Sequence, residues 1–113
     1  MMIYFKANNT EYPASIAGKI TDRDWGNRES KAVTLTATYE QAAQLFTDGL
    51  VWSVVEKQPD EDGTEQTMRE NDCSGYCVAG PITDNRDGTC TCKMGKKTAS
   101  DVLAELEATY DGN

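Results

Sequence analysis

Residues 75–97 (GYCVAGPITDNRDGTCTCKMGKK) constrain this chain more than any other stretch. They read as one β-hairpin, and they hold three of the four cysteines in a sequence with no histidine. Asp84-Asn85-Arg86-Asp87-Gly88 supplies the turn, because Asp and Asn side chains bond their own backbone and Gly88 accepts a positive φ. With Thr83 opposite Thr89, Ile82 faces Cys90, Gly80 faces Cys92 and Val78 faces Met94. Side-chain alternation then gathers Cys90, Cys92, Val78, Ile82 and Met94 on one core-facing side. Cys77 falls on the other side unless Gly80-Pro81 forms a bulge.

The thiols admit three uses. A four-thiolate zinc site on Cys73, Cys77, Cys90 and Cys92 is the weak alternative. Its C-x3-C and C-x-C spacings depart from the usual C-x2-C knuckle, and C-x-C on a flat strand does not wrap a metal. Disulfides need an oxidising compartment, and Met1-Met2-Ile3-Tyr4-Phe5-Lys6 turns polar too soon for a secretory signal. Reduced thiols packed as small apolar residues are the reading that asks least of the chain.

Around that hairpin the sequence reads as α+β: a mainly antiparallel meander of six to seven strands with two short helices packed on it, one domain over residues 1–113. Ile3, Phe5 and Ala7 alternate with polar residues up to an Asn8-Asn9 turn. Tyr12, Ala14, Ile16 and Ile20 follow, and Pro13 marks this second strand as an edge. Thr21 to Ser30 reads as a polar connection and Lys31 to Ala37 as a third strand. Thr38 and Gln41 form a capping box for a helix that offers Ala42, Ala43, Leu45 and Phe46 to a core and ends at Gly49. Leu50 to Lys57 is apolar on both faces and reads as a central strand. Residues 58–72 break the pattern with an acidic turn, and Thr64 to Glu70 returns as an exposed strand. A last helix, capped by Thr98 or Ser100 and stopped by Gly112, carries Val102, Leu103, Leu106 and Tyr110 on one stripe.

Composition narrows function mainly by exclusion. The 113 residues carry a formal charge of −8, which opposes direct binding to nucleic-acid phosphates. No apolar run approaches a membrane span. Without histidine the usual triads and zinc-hydrolase ligand sets are absent. Gly95-Lys96-Lys97-Thr98 echoes a phosphate loop but lacks its upstream glycine. Neither Gly63 nor Gly88 aligns with a calcium-hand loop. No enzyme activity and no cofactor are expected, and the partner expected is a protein, this chain itself included as a homo-oligomer.

Two segments are candidates for that contact. Trp25 sits in a charged stretch with Arg23, Asp24 and Arg28, and Trp and Arg are the residue types that anchor interfaces. The competing reading folds Trp25 back over the sheet, with the arginines paired to nearby aspartates. Asp60, Glu61 and Asp62 form the second candidate. They lie in the stretch from Glu56 to Asp72, which has seven acidic and two basic residues.

Residues 22–36 (DRDWGNRESKAVTLT), 48–55 (DGLVWSVV) and 79–96 (AGPITDNRDGTCTCKMGK) resemble a group of short, uncharacterised proteins encoded in phages and prophages of gut Firmicutes. Hydrophobic or threonine residues can replace the cysteines in that group, which weakens the zinc reading. The resemblance implies a tail-region gene neighbourhood, and hence a small virion structural or assembly subunit of the tail or baseplate. It also places the protein in the bacterial host cytoplasm or the assembled virion, not secreted by a signal peptide. The alternative is an acidic anti-defence inhibitor, anti-CRISPR-like, occupying a basic nucleic-acid channel of a host nuclease. No site residue is carried over from the group.

Overall fold

Asn8 and Asn9, at φ 53° and 61°, turn the chain tightly between β1 (Met2–Ala7) and β2 (Thr10–Asp22). Positive φ at both central positions gives the turn the twist that antiparallel strands need. The computed structural model describes residues 2–111. It adds β3 (Arg28–Thr36), α1 (Tyr39–Leu45), β4 (Trp52–Pro59), β5 (Glu65–Asp72), β6 (Tyr76–Asp84), β7 (Thr89–Lys96) and α2 (Ala99–Asp111). The seven strands form one antiparallel sheet in the order β5-β4-β1-β2-β3-β7-β6.

The expected edge position of Pro13 is corrected: β2 lies between β1 and β3. Residues 10–13 pair with β1, and residues 14–22 pair with β3. Pro13, with no N–H to give, stands where β2 passes from one partner to the other. That handover is where an interior strand tolerates proline. The expected polar connection from Thr21 to Ser30 is also corrected. It shrinks to a 3-10 turn, Arg23–Trp25, with Gly26 and Asn27, because β2 and β3 carry their ladder as far as Asp22 opposite Arg28.

The core lies on one face of the sheet. Phe5, Ala7, Val33, Leu35, Trp52, Val54, Cys90, Cys92 and Met94 pack there with Ala42, Phe46 and Leu50 from α1 and the following loop. Phe5 is the hub, its ring 4.8 Å from Phe46 and 5.4 Å from Trp52 between centroids. Each such ring contributes about 1.5–3 kcal/mol by leaving water. The Thr38–Gln41 capping box forms as expected. Ala42 and Phe46 are buried, whereas Ala43 is exposed. The helix stops at Leu45, before the expected Gly49.

The 75–97 hairpin forms with its register moved by two residues: Thr83 lies opposite Thr91 and Ile82 opposite Cys92. Asp84 joins the ladder and the turn tightens, with Asn85 N donating to Thr89 O. A shift of two keeps every side chain on its face, so Cys90, Cys92 and Met94 still point inward. The register breaks between Ala79 and Ile82, which is the Gly80-Pro81 bulge. The Tyr110 side chain and Gly112 lie outside the described residues.

Candidate functional site

On the face opposite the core, the 3-10 turn lays Trp25 across β6 and β7. Glycines make this possible. A Cβ built at Gly80 would lie 2.5 Å from Trp25 Cη2, and one at Gly95 would lie 2.3 Å from Arg28 Cδ. The two glycines give neighbouring strands a flat floor on which the indole and the Arg28 stem rest. The Arg28 guanidinium carbon stands 4.7 Å from the Trp25 ring centroid, a cation–π contact in a partly dry setting.

Arg28 is 9% exposed and joins this floor to α2. Its Nη1 donates to Lys96 O at 2.7 Å and to Asp101 Oδ2 at 2.5 Å. Asp101 also accepts from Thr98 N, while Thr98 Oγ1 accepts from Asp101 N. One carboxylate thus closes the N-cap of α2 and latches the helix to the sheet. The hydrogen bond from Arg28, followed by that from Thr98 N, holds the Asp101 carboxyl down at about 2.

The sequence-level candidates part company here. Trp25 and Arg28 are brought together as a packed, intramolecular unit, and the aspartate that Arg28 engages is Asp101, 73 positions away. Arg23 and Asp24 are exposed at its rim. Asp60, Glu61 and Asp62 lie apart, at the tip of the β4–β5 hairpin. That turn is well formed: Asp60 N bonds Thr64 O, Gly63 N bonds Asp60 O, and Asp62 Oδ1 accepts from Thr64 N. Those last bonds, first from the Thr64 backbone, lower the Asp62 carboxyl. Behind the tip the charges are engaged: Glu65 accepts from Tyr4 OH, Lys6 pairs with Glu70, and Arg69 with Glu56.

α2 presents its apolar side chains to solvent. Val102, Leu103 and Leu106 are 45%, 56% and 55% exposed, so the stripe read from the sequence exists but faces outward. Lys97 pairs with Glu105 along the helix start.

The four cysteines stand as free thiols, with Cys77 alone among them half-exposed. Burial pushes Cys92 up to about 12. Among the described residues, no group of three or more His, Cys, Asp or Glu side chains gathers as a metal site requires. Cys77 belongs to a shallow groove between β6 and α2, with Val78, Asp48, Lys97 and Ala104.

A polar cluster that the sequence did not single out lies at the outer end of β3. Tyr76 OH donates to Glu29, and Lys31 and Lys96 stand 5.1 and 5.0 Å from the Tyr76 ring. No local spacing links Glu29 to Tyr76, 47 positions apart, so only the strand order could reveal it. Among the described residues no helix is long and apolar enough to cross a membrane. Compared with known protein families, curated proteins and solved structures, the chain has no match among them.

Proposed function

We propose that this protein is a non-enzymatic, phage- or prophage-encoded subunit that works through protein–protein contacts in a tail or baseplate or in its assembly. The phage origin rests on the resemblance of residues 22–36, 48–55 and 79–96. The contact reading is carried by α2, which offers Val102, Leu103 and Leu106 to solvent while a polar latch at its first turn holds it in place. An i, i+1, i+4 set of aliphatic side chains is what a docked helix buries. A monomer gains nothing by leaving it wet. The occupant is a neighbouring subunit of the same assembly.

Native mass spectrometry in reducing buffer tests this, with Leu103→Glu/Leu106→Glu as the comparison. The wild-type chain is expected as a closed oligomer and the variant as a monomer with unchanged circular dichroism. An oligomer that survives the double substitution removes α2 as the contact. A wild-type monomer at all concentrations removes self-assembly.

The inhibitor reading draws on one observation, the exposed Asp60-Glu61-Asp62 tip. Glu56 is engaged by Arg69 within the hairpin, and Glu65 and Glu70 by Tyr4 and Lys6 of β1, so the carboxylates do not line up as a row of phosphates would. Reversal of the three tip residues to Lys abolishes inhibition of a target nuclease under that reading, and retained inhibition sinks it.

A further inference from the structure

Among the described residues, two apolar surfaces are left uncovered at opposite ends of β3. The first is the stripe of α2. This helix follows Lys96, the last residue of β7, and is latched to Arg28, the first residue of β3. Further along, Ala104 lies beside Cys77 and Val78. Val78 is level with Gly95 and Ser30, close to that same end of the ladder.

The second surface is a groove where β3 ends. α1 has only seven residues and sends Ala42 and Phe46 into the core, so its flank of Gln41, Gln44 and Leu45 is left open. Between that flank and Tyr12, Leu35 and Ala37 lies a cavity of about 400 Å³. Tyr12, Ala37 and Leu45 are half-buried, so the apolar lining is only partly covered. The nine residues of β3 span about 27 Å. While it is latched at the start of β3, α2 does not reach the groove of its own chain.

Charge matches the two surfaces. α2 carries Asp101, Glu105 and Glu107 and has no basic residue from Ala99 to Asp111. A helix of that sign is repelled by the carboxylates in the hollows at Asp60, Glu61 and Asp62 and beside Asp48. The α1 groove has no charged side chain in its lining. At its Ala37 and Gln41 end it runs on to Arg86, an exposed cation with no ion pair among the described residues. Asp84 and Asp87, which flank Arg86, accept from the amides of Arg86 and Thr89. Glu107, one step past Leu106, is exposed and makes no ion pair among the described residues either. We infer that the α1 groove takes α2 of a second copy of this chain, with Val102, Leu103 and Leu106 laid against Tyr12, Leu35, Ala37 and Leu45 and Glu107 turned toward Arg86. This rests on the reading of α2 as a contact and names the surface that receives it. Groove on one copy and helix on the next make a head-to-tail interface, which builds a ring where the rotation closes.

Native mass spectrometry of the full chain tests this with two variants and their mixture. Gln41→Glu/Gln44→Glu puts carboxylates into the groove. Glutamate at 41 keeps the capping box and both side chains are exposed, so circular dichroism is expected unchanged. Self-association should fall at least about tenfold, since a carboxylate would lose its water against an aliphatic stripe. Leu103→Glu/Leu106→Glu keeps the groove and lacks the stripe. Mixed, with one of them isotopically labelled, the two variants should form a one-to-one dimer and nothing larger, because the pair holds one intact helix and one intact groove. Amide exchange should slow in α1 of the chain whose groove is intact. Arg86→Glu in that chain weakens the mixed dimer about two- to fivefold, the size of an exposed ion pair, and Glu107→Lys in the other restores it. Unchanged assembly of the groove variant beside a monomeric helix variant overturns this inference and leaves α2 as a contact for another surface. A mixture that does not dimerise overturns it as well. A monomeric wild-type chain, or a helix variant that still assembles, overturns the reading of α2 as a contact of this chain with itself.

Discussion

Trp25 lies so close over Gly80 that a methyl group there would stand 2.5 Å from the ring. The indole is therefore a lid whose seat is the missing side chain of a strand residue. Gly80→Ala is expected to lift Trp25 and cost about 1–3 kcal/mol, the range for overpacking a fitted contact. Gly95→Ala does the same through Arg28. Urea denaturation gives the cost, and tryptophan emission shifts to the red as the ring meets water. An unshifted spectrum with unchanged stability would mean that Trp25 is not seated on the sheet.

The Arg28–Asp101 latch sets a pH dependence for α2. The carboxyl titrates at about 2, below its ordinary 3.8, so the folded state binds its proton less readily than the unfolded chain does. The contribution of the latch is complete above pH 3.8 and is lost as the pH falls through about 2. Between those limits α2 should loosen before the sheet, seen as amide exchange in residues 99–107 rising ahead of that in β3 and β7. Asp101→Asn should bring the same loosening to neutral pH. Equal protection of α2 in that variant would show that the helix is held by something other than the latch.

Much of this architecture is written in local pattern. The Asn8-Asn9 turn, the Thr38–Gln41 box and the alternation of Cys90, Cys92 and Met94 each follow from a few neighbouring residues, and all three hold. Pro13 misleads because a proline reports only that one backbone donor is missing. It cannot report that β2 exchanges neighbours at that very residue. The Trp25 seat is still less legible, since it joins Gly80 and Gly95 from two strands that sequence alone does not place side by side. Arg28 and Asp101 are likewise linked only by the register of β3 with β7.

Thiol chemistry separates the readings of the cysteines. Cys73, Cys90 and Cys92 are buried and Cys77 is half-exposed. Desolvation raises the buried thiols and disfavours the thiolate that reacts. An aromatic disulfide reagent at pH 8 is expected to modify one thiol per chain rapidly, and Cys77→Ser should remove that phase. In denaturant all four thiols of the wild-type chain should react. Two or none reacting in denaturant would establish disulfides in the purified protein.

Tyr76 gives the complementary test at high pH. Burial, followed by its hydrogen bond to Glu29, pushes its hydroxyl up to about 12, while the bonds from Tyr76 and then Lys96 hold the Glu29 carboxyl down. A phenol whose folded value exceeds the unfolded 10 stabilises the fold fully below pH 10, and that contribution is lost as the pH rises through about 12. Near-ultraviolet titration should therefore show a late-ionising tyrosine, and loss of the fold should accompany its final step. Tyr76→Phe is expected to remove the late step while keeping the ring between Lys31 and Lys96. Persistence of the step in that variant would assign it to Tyr4, whose hydroxyl Glu65 also raises, and would leave the Glu29–Tyr76 bond without a role in alkaline stability.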